Sequence, residues 1–281
     1  MLAAVIQLCS QDDVSKNLAR VVVLIGEAAR AGAQLIALPE NFAYMGDETG
    51  KRAIAEKVDG HGVILSAVMG AAREHGVYVV AGGMPETSED PERPYNSSVL
   101  VDPRGAVVAV YRKLHLFDVD LADGTSLRES DATTAGFDKV VAVVHGATTR
   151  AGARVDVPIG MSVCYDVRFP ELYRSLERRG ARIVTVPAAF TVTTGKDHWH
   201  VLLRARAIEN QVFVLAPGQQ GKHPLGRQTY GKSLIIDPWG DVLAQCGDGE
   251  GFAVARLDLQ YQDRVRAALP CLAHRRLSTP P

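Results

Sequence analysis

The sequence predicts one α/β domain, and three observations lead there. Short runs that are apolar almost throughout, such as residues 34–38 and 181–186, are each closed by a proline, Pro39 and Pro187. Segments with apolar residues at helical spacing alternate with them, as in Val14, Leu18, Val21, Val22 and Ile25. No linker or shift of composition divides the 281 residues. A strand without polar alternation is buried on both faces, and helices packed on a sheet are what bury it.

Taken in order, residues 2–9 are apolar but lack the basic flank and the length of a secretion signal, so they are expected to form the first buried strand. Asp12 or Asp13 caps the helix that follows, and Gly32 ends it. The strand over 34–38 closes at Pro39-Glu40. A carboxylate just past the C-terminal end of a buried strand stands where α/β proteins place reactive groups. A helix over 64–75 leads to a strand over 77–81, a charged, proline-rich turn over 86–94, and strands over 97–101 and 106–111 around Pro103-Arg104-Gly105. A long irregular stretch then runs to about residue 134. Loops of that length inside a compact domain are usually functional, and this one holds Leu127-Arg128-Glu129-Ser130.

Strands over 140–144 and 155–163 lead into Cys164. A helix from Phe169 to near Gly180, a strand over 181–186, a helix over 197–210 and strands over 212–216, 234–236, 242–245 and 252–257 follow, with a last helix over 260–269. The helix over 197–210 carries Trp199, Leu202, Leu203 and Arg206 on one face, with Glu209 one turn on to pair the arginine. Segments 32–39 and 180–187 echo each other as glycine, buried strand and proline. That similarity is read as ordinary αβ grammar rather than as a repeat.

Bulk properties remove several function classes. Hydrophobic residues are 47% and charged residues 22%, which suits a packed core and excludes a disordered or fibrous chain. A net charge of -1 gives no basic surplus for nucleic acid or an anionic membrane. No apolar run reaches membrane-spanning length. Cys9, Cys164, Cys246 and Cys271 lie far apart without a CxxC, so neither a zinc ribbon nor a thioredoxin-like site is expected. Sparse thiols suit a reducing compartment, and a cytoplasmic protein is expected.

Two motif matches carry no function. Residues 226–233 fit the P-loop pattern GxxxxGK[ST], but a β-branched strand and Asp237-Pro238 follow where a phosphate-binding helix must open. Asn96-Ser97-Ser98 fits a glycosylation sequon and is taken as chance. The eight histidines form no HExxH, and His198 and His200 face apart on their helix. Cys164 is different. An apolar run ends on it, and Arg168-Phe169-Pro170-Glu171 then opens a helical pattern, with proline at the favoured first position. A thiol at such a junction feels the helix dipole, which lowers its pKa from about 8.5, and free N–H groups there can hold an oxyanion. Alone, Cys164 would be a small buried hydrophobe, Glu40 a surface carboxylate and Lys113 a surface cation. All three fall at strand ends.

Three motifs in this order resemble the nitrilase superfamily of carbon–nitrogen hydrolases over nearly the whole chain: Leu38-Pro39-Glu40-Asn41, the lysine segment 111–118, and the cysteine segment 164–172. Asp237-Pro238-Trp239-Gly240 also recurs there. The resemblance implies a four-layer α-β-β-α sandwich, with residues 1–270 as the hydrolase domain and 271–281 as a tail. It implies a homodimer or larger assembly built on the helices after Cys164 and around Trp199. It makes Glu40, Lys113 and Cys164 the catalytic triad, and places the superfamily's second glutamate on Glu129. No cofactor and no metal is expected.

The implied chemistry is acyl transfer through a Cys164 thioester, with Glu40 moving protons and Lys113 and the Tyr165 N–H holding the oxyanion. Segments 113–118, 194–199 and 203–209 are similar to the Nit branch, which acts on ω-amides of small carboxylic acids such as deaminated glutathione and α-ketoglutaramate. Arg168, Lys222 and His115 are the candidate substrate-binding residues. An N-carbamoyl amino acid amidohydrolase or an aliphatic amidase is the alternative within the superfamily, and a non-catalytic partner-binding scaffold is the alternative outside it.

Overall fold

A computed structural model describes residues 1–120, 126–149 and 151–277. Residues 121–125 of the expected long loop and 278–281 of the expected tail therefore lie outside the described residues. The elements run β1 (Leu2–Gln7), α1 (Val14–Arg30), β2 (Leu35–Ala37), α2 (Glu48–Ala53), α3 (Val63–His75), β3 (Tyr78–Glu86), β4 (Tyr95–Val101), β5 (Val107–Arg112), β6 (Asp118–Asp120) and β7 (Ser126–Arg128). They continue with β8 (Val141–Thr148), β9 (Arg154–Met161), α4 (Pro170–Arg178), β10 (Ile183–Thr185), α5 (Val192–Asn210), β11 (Phe213–Ala216), β12 (Gln220–Lys222) and β13 (Gln228–Tyr230). The chain closes with β14 (Leu234–Ile236), β15 (Val242–Gln245), β16 (Gly251–Arg256) and α6 (Leu259–Ala268).

Two six-stranded sheets lie face to face, in the orders β16-β1-β2-β3-β4-β5 and β15-β14-β11-β10-β9-β8. Alternate residues of one strand serve different layers. Ala4 and Ile6 of β1 pack outward with Leu18, Val21 and Ile25 of α1, and Ile64 and Val68 of α3 join the same cluster. Ala3 and Val5 point the other way, into a core with Val157, Ile159 and Val184 of the second sheet. Leu172 and Leu176 of α4 and Trp199 and Leu203 of α5 cover that sheet's far face. The four-layer α-β-β-α sandwich follows, and it explains why the central strands are apolar on both faces.

The two halves share one topology. In each sheet three parallel strands (β1-β2-β3 and β9-β10-β11) are extended by two antiparallel strands on one side and one on the other. The echoing segments 32–39 and 180–187 occupy equivalent places, running from the end of α1 into β2 and from the end of α4 into β10. The echo is therefore more than the local grammar expected of it.

Other departures from expectation have local causes. Helix α5 starts five residues before Asp197, because the Thr191 hydroxyl accepts the Thr194 N–H and caps it there. Helix α2, capped by Asp47, has no counterpart among the expected elements. Strand β3 runs on to Glu86 through a register shift between Ala81 and Met84, where Gly82-Gly83 bulges. The long loop contains the hairpin β6–β7 and a turn of 3₁₀ helix over Glu129–Asp131. Residues 226–233 form β13 and the approach to β14, so no helix follows the P-loop-like pattern. No helix among the described residues is long and apolar enough to cross a membrane.

Candidate active site

Glu40 and Lys113 follow β2 and β5 of the first sheet, and Cys164 follows β9 of the second. The bulge in β3 makes room where the sheets meet. A Cβ on Gly82 would lie 2.2 Å from the Leu38 carbonyl oxygen and 2.3 Å from Pro187 Cβ. One on Gly83 would lie 2.7 Å from Glu40 Cγ, and Gly83 has a φ of +47°. Only glycine passes here without displacing the glutamate.

The Lys113 ammonium is 2% exposed and sits between two carboxylates. Its Nζ donates to Oε1 of Glu40 at 3.1 Å and to Oε2 and Oε1 of Glu129 at 2.8 and 3.0 Å. Burial by itself would lower the lysine pKa, but Glu129, Glu40 and Cys164 outweigh it and hold the ammonium well above the ordinary lysine range. Burial likewise pushes Glu129 up, but the Lys113 charge and the Phe117 N–H, which donates at 2.7 Å, leave it below the ordinary glutamate value. The Ala189 N–H donates to Oε2 of Glu40 at 3.0 Å, and Asn96 Nδ2 donates to Oε1 of Glu40 at 2.9 Å and to Oε1 of Glu129 at 3.3 Å.

Cys164 opens a turn of 3₁₀ helix, Cys164–Arg168, with a left-handed φ of 48°. Its own N–H is committed to the Pro187 carbonyl at 2.7 Å. The Tyr165 N–H, at the second position of that turn, donates to no acceptor among the described residues, as the geometry of a helix start dictates. The thiol differs from the sequence expectation. Burial first and the Glu40 charge second push its pKa well above that of an ordinary cysteine, against a smaller lowering by Lys113. The short 3₁₀ turn does not overcome a neighbouring carboxylate. Burial and the Glu40 charge therefore favour the thiol over the thiolate.

The structure thus brings Glu40, Lys113, Glu129, Cys164 and the Tyr165 N–H together. Arg168 lines the same cleft as Cys164, with Phe117, Tyr165, Ala189, Phe190, Thr191 and Thr194. Its guanidinium stands 5.4 Å from the Phe190 ring centre and 5.8 Å from that of Tyr165. It makes no ion pair with a carboxylate among the described residues, and its Nη1 lies 3.3 Å from Nδ1 of His198. His115 packs against the cysteine turn: its Nδ1 is 2.7 Å from Asp166 and its ring stacks on Phe169 at 3.7 Å. Lys222 is exposed on β12.

Three contributors are not singled out by the sequence. Asp166 carries a usable signal, an acid at the third position of a helical turn whose Oδ2 accepts the Val163 N–H at 2.8 Å. The Ala189 N–H carries none, because backbone is not legible in residue types. Asn96 is visible only as a sequon, a reading its contacts with the two glutamates replace.

The carbon–nitrogen hydrolase family model matches residues 2–267. The chain belongs to the carbon–nitrogen hydrolase family. The hydrolase is 43% identical to a deaminated glutathione amidase of Synechocystis, over 98% of this chain and 97% of that protein. It superposes on the crystal structure of the Caenorhabditis elegans NitFhit protein with a TM-score of 0.87 at 36% identity, covering 98% of this chain and 65% of that one. It also resembles the amidase of Nesterenkonia sp. AN1, with a TM-score of 0.75 at 28% identity over 96% of this chain and 98% of that one. That structure, a glutamate-to-glutamine mutant of the amidase, carries acrylamide added at its active-site cysteine.

Proposed function

We propose that this hydrolase cleaves the ω-amide of a small carboxylic acid of the deaminated glutathione or α-ketoglutaramate type, through a thioester on Cys164. The observation that carries the reading is the buried cluster of one thiol, one ammonium and two carboxylates at the meeting of the two sheets. The deaminated glutathione amidases among its relatives support the substrate class.

In the first half-reaction the Cys164 sulfur attacks the amide carbonyl carbon while Glu40 takes the thiol proton. The carbonyl electron pair moves onto oxygen, where the Lys113 ammonium and the Tyr165 N–H stabilise it. Collapse breaks the C–N bond, and Glu40 returns its proton to the departing nitrogen, which leaves as ammonia. A water then attacks the thioester, Glu40 removes its proton, and the thiol leaves with that proton restored. Glu129 keeps Lys113 charged and in place. Arg168, which lines the cleft with no carboxylate partner among the described residues, is suited to the carboxylate of the substrate.

The surface and the thiols support a reading of association and location. Ile208 and Val201 of α5 are exposed, and Trp239, 53% exposed, lies on the turn whose Gly240 abuts Ile208. That apolar face supports a homodimer through α5. Four free cysteines support a reducing, cytoplasmic setting.

Ammonia release is the test, with deaminated glutathione, α-ketoglutaramate, a carbamoyl amino acid and an aliphatic amide as substrates and Cys164→Ala as the control. Turnover of an ω-amide acid that the variant abolishes is expected. Preference for the carbamoyl compound, with carbon dioxide released, would replace this reading with the N-carbamoyl one.

A further inference from the structure

Glu40 and Glu129 are two carboxylates served by one ammonium, beside a thiol that resists losing its proton. Lys113 balances one negative charge. The second needs other donors to stay ionised in a buried site.

The Ala189 N–H serves Oε2 of Glu40 and the Phe117 N–H serves Oε2 of Glu129, and of these donors Asn96 alone serves both carboxylates at once. It lies on β4, next to β5, which Lys113 directly follows, and its backbone carbonyl accepts the Lys113 N–H at 2.9 Å. Its side-chain nitrogen is 2.9 Å from Oε1 of Glu40 and 3.3 Å from Oε1 of Glu129. An amide nitrogen carries two protons, so one goes to each carboxylate. The same two oxygens face Lys113 Nζ at 3.1 and 3.0 Å. Its Oδ1, in contrast, is buried without a hydrogen-bond partner among the described residues, so the contacts use the donor end of the amide.

Resting on the thioester reading, we infer that Asn96 is a positioning residue that holds Glu40 and Glu129 as an ionised pair around Lys113, with Glu40 ready to take the thiol proton. Without it, one proton is retained among the two carboxylates to higher pH, and the base that activates Cys164 is lost over that range. The charged and titratable groups around the pair are Lys113, Cys164 and, at longer range, Lys51 beside Glu129. None of these replaces the amide donors.

Asn96→Ala, Asn96→Ser and the isosteric Asn96→Asp test this, with folding verified by thermal melting. Two pH profiles are read: kcat/KM on whichever amide the wild type turns over, and the rate of iodoacetamide alkylation of the Cys164 peptide, followed by mass spectrometry. The second needs no substrate. The folded variants are expected to lose about tenfold or more in kcat with little change in KM, as for loss of positioning. The acid limb of both profiles is expected to move up by about one pH unit, with Asn96→Asp the worst near neutrality. If the wild type turns over no amide in the panel but the alkylation limb still moves, the function reading fails and the role of Asn96 stands. A folded variant with both acid limbs unmoved would overturn it, whatever happened to kcat.

Discussion

Tyr111 donates a 2.6 Å hydrogen bond to Oδ2 of Asp166, 55 residues further along the chain. Asp166 is fully buried, and its Oδ1 also accepts the His115 N–H at 3.1 Å. Tyr111 and His115 flank Lys113 by two residues on either side, and Asp166 lies two residues after Cys164. One carboxylate therefore ties the lysine segment of the first sheet to the cysteine turn of the second.

Asp166→Asn should loosen that tie, because an amide cannot accept from the Tyr111 hydroxyl, the Val163 N–H and the His115 N–H together. Leaving buried donors unpaired costs about 1–3 kcal/mol. A lower midpoint in urea unfolding and a fall in kcat larger than the change in KM are expected. A variant with unchanged stability would show that the tie is not needed to hold the two segments.

Lys113→Ala should remove turnover while leaving the fold largely intact, since an oxyanion donor is worth about 10²–10³ in rate. It also leaves Glu40 and Glu129 facing each other without a cation, so the loss should exceed that of a simple donor deletion. Single-turnover kinetics would reveal it as a failure of acylation. Substantial residual kcat would remove Lys113 from the oxyanion role.

The paired charges also set a stability window. Glu129 has a folded pKa below its unfolded value, so its contribution is complete above about pH 4.3 and is lost as pH falls through the lower folded value. Lys113 has a folded pKa above its unfolded value, so its contribution is complete below about pH 10.4 and is lost only as pH rises through the higher folded value. Glu129→Gln should therefore flatten the acid side of a plot of Tm against pH. An unchanged acid side would mean that Glu129 is not ionised against Lys113 in the fold.

The architecture was legible because buried parallel strands leave a clear signature: β2 and β11 are apolar, β10 is apolar but for Thr185, and each is closed by a proline. The ends of β2, β5 and β9 carried Glu40, Lys113 and Cys164 into view for the same reason. What was hidden depended on contacts across the sandwich. Asn96 precedes the strand expected over 97–101, in a polar run Asn96-Ser97-Ser98 with no alternation to orient it, and its partners are 33 and 56 residues away. The direction of the thiol shift escapes the order Phe169-Pro170-Glu171, which shows a helix start, because it is set first by burial and then by the Glu40 carboxylate from the other sheet. His115 resembles a substrate ligand beside Lys113, but Asp166 and Phe169 hold its ring against the cysteine turn.

The central claim is a covalent acyl group on Cys164, and trapping it is the most direct test. The hydrolase would be mixed with an ω-amide substrate, quenched in acid within the first turnover, digested and analysed by mass spectrometry. The account predicts an added mass equal to the substrate acyl group on the Cys164 peptide, formed together with one equivalent of ammonia and absent from Cys164→Ala. Steady ammonia release by Cys164→Ala, or wild-type turnover with the Cys164 peptide unmodified at every quench time, would contradict it.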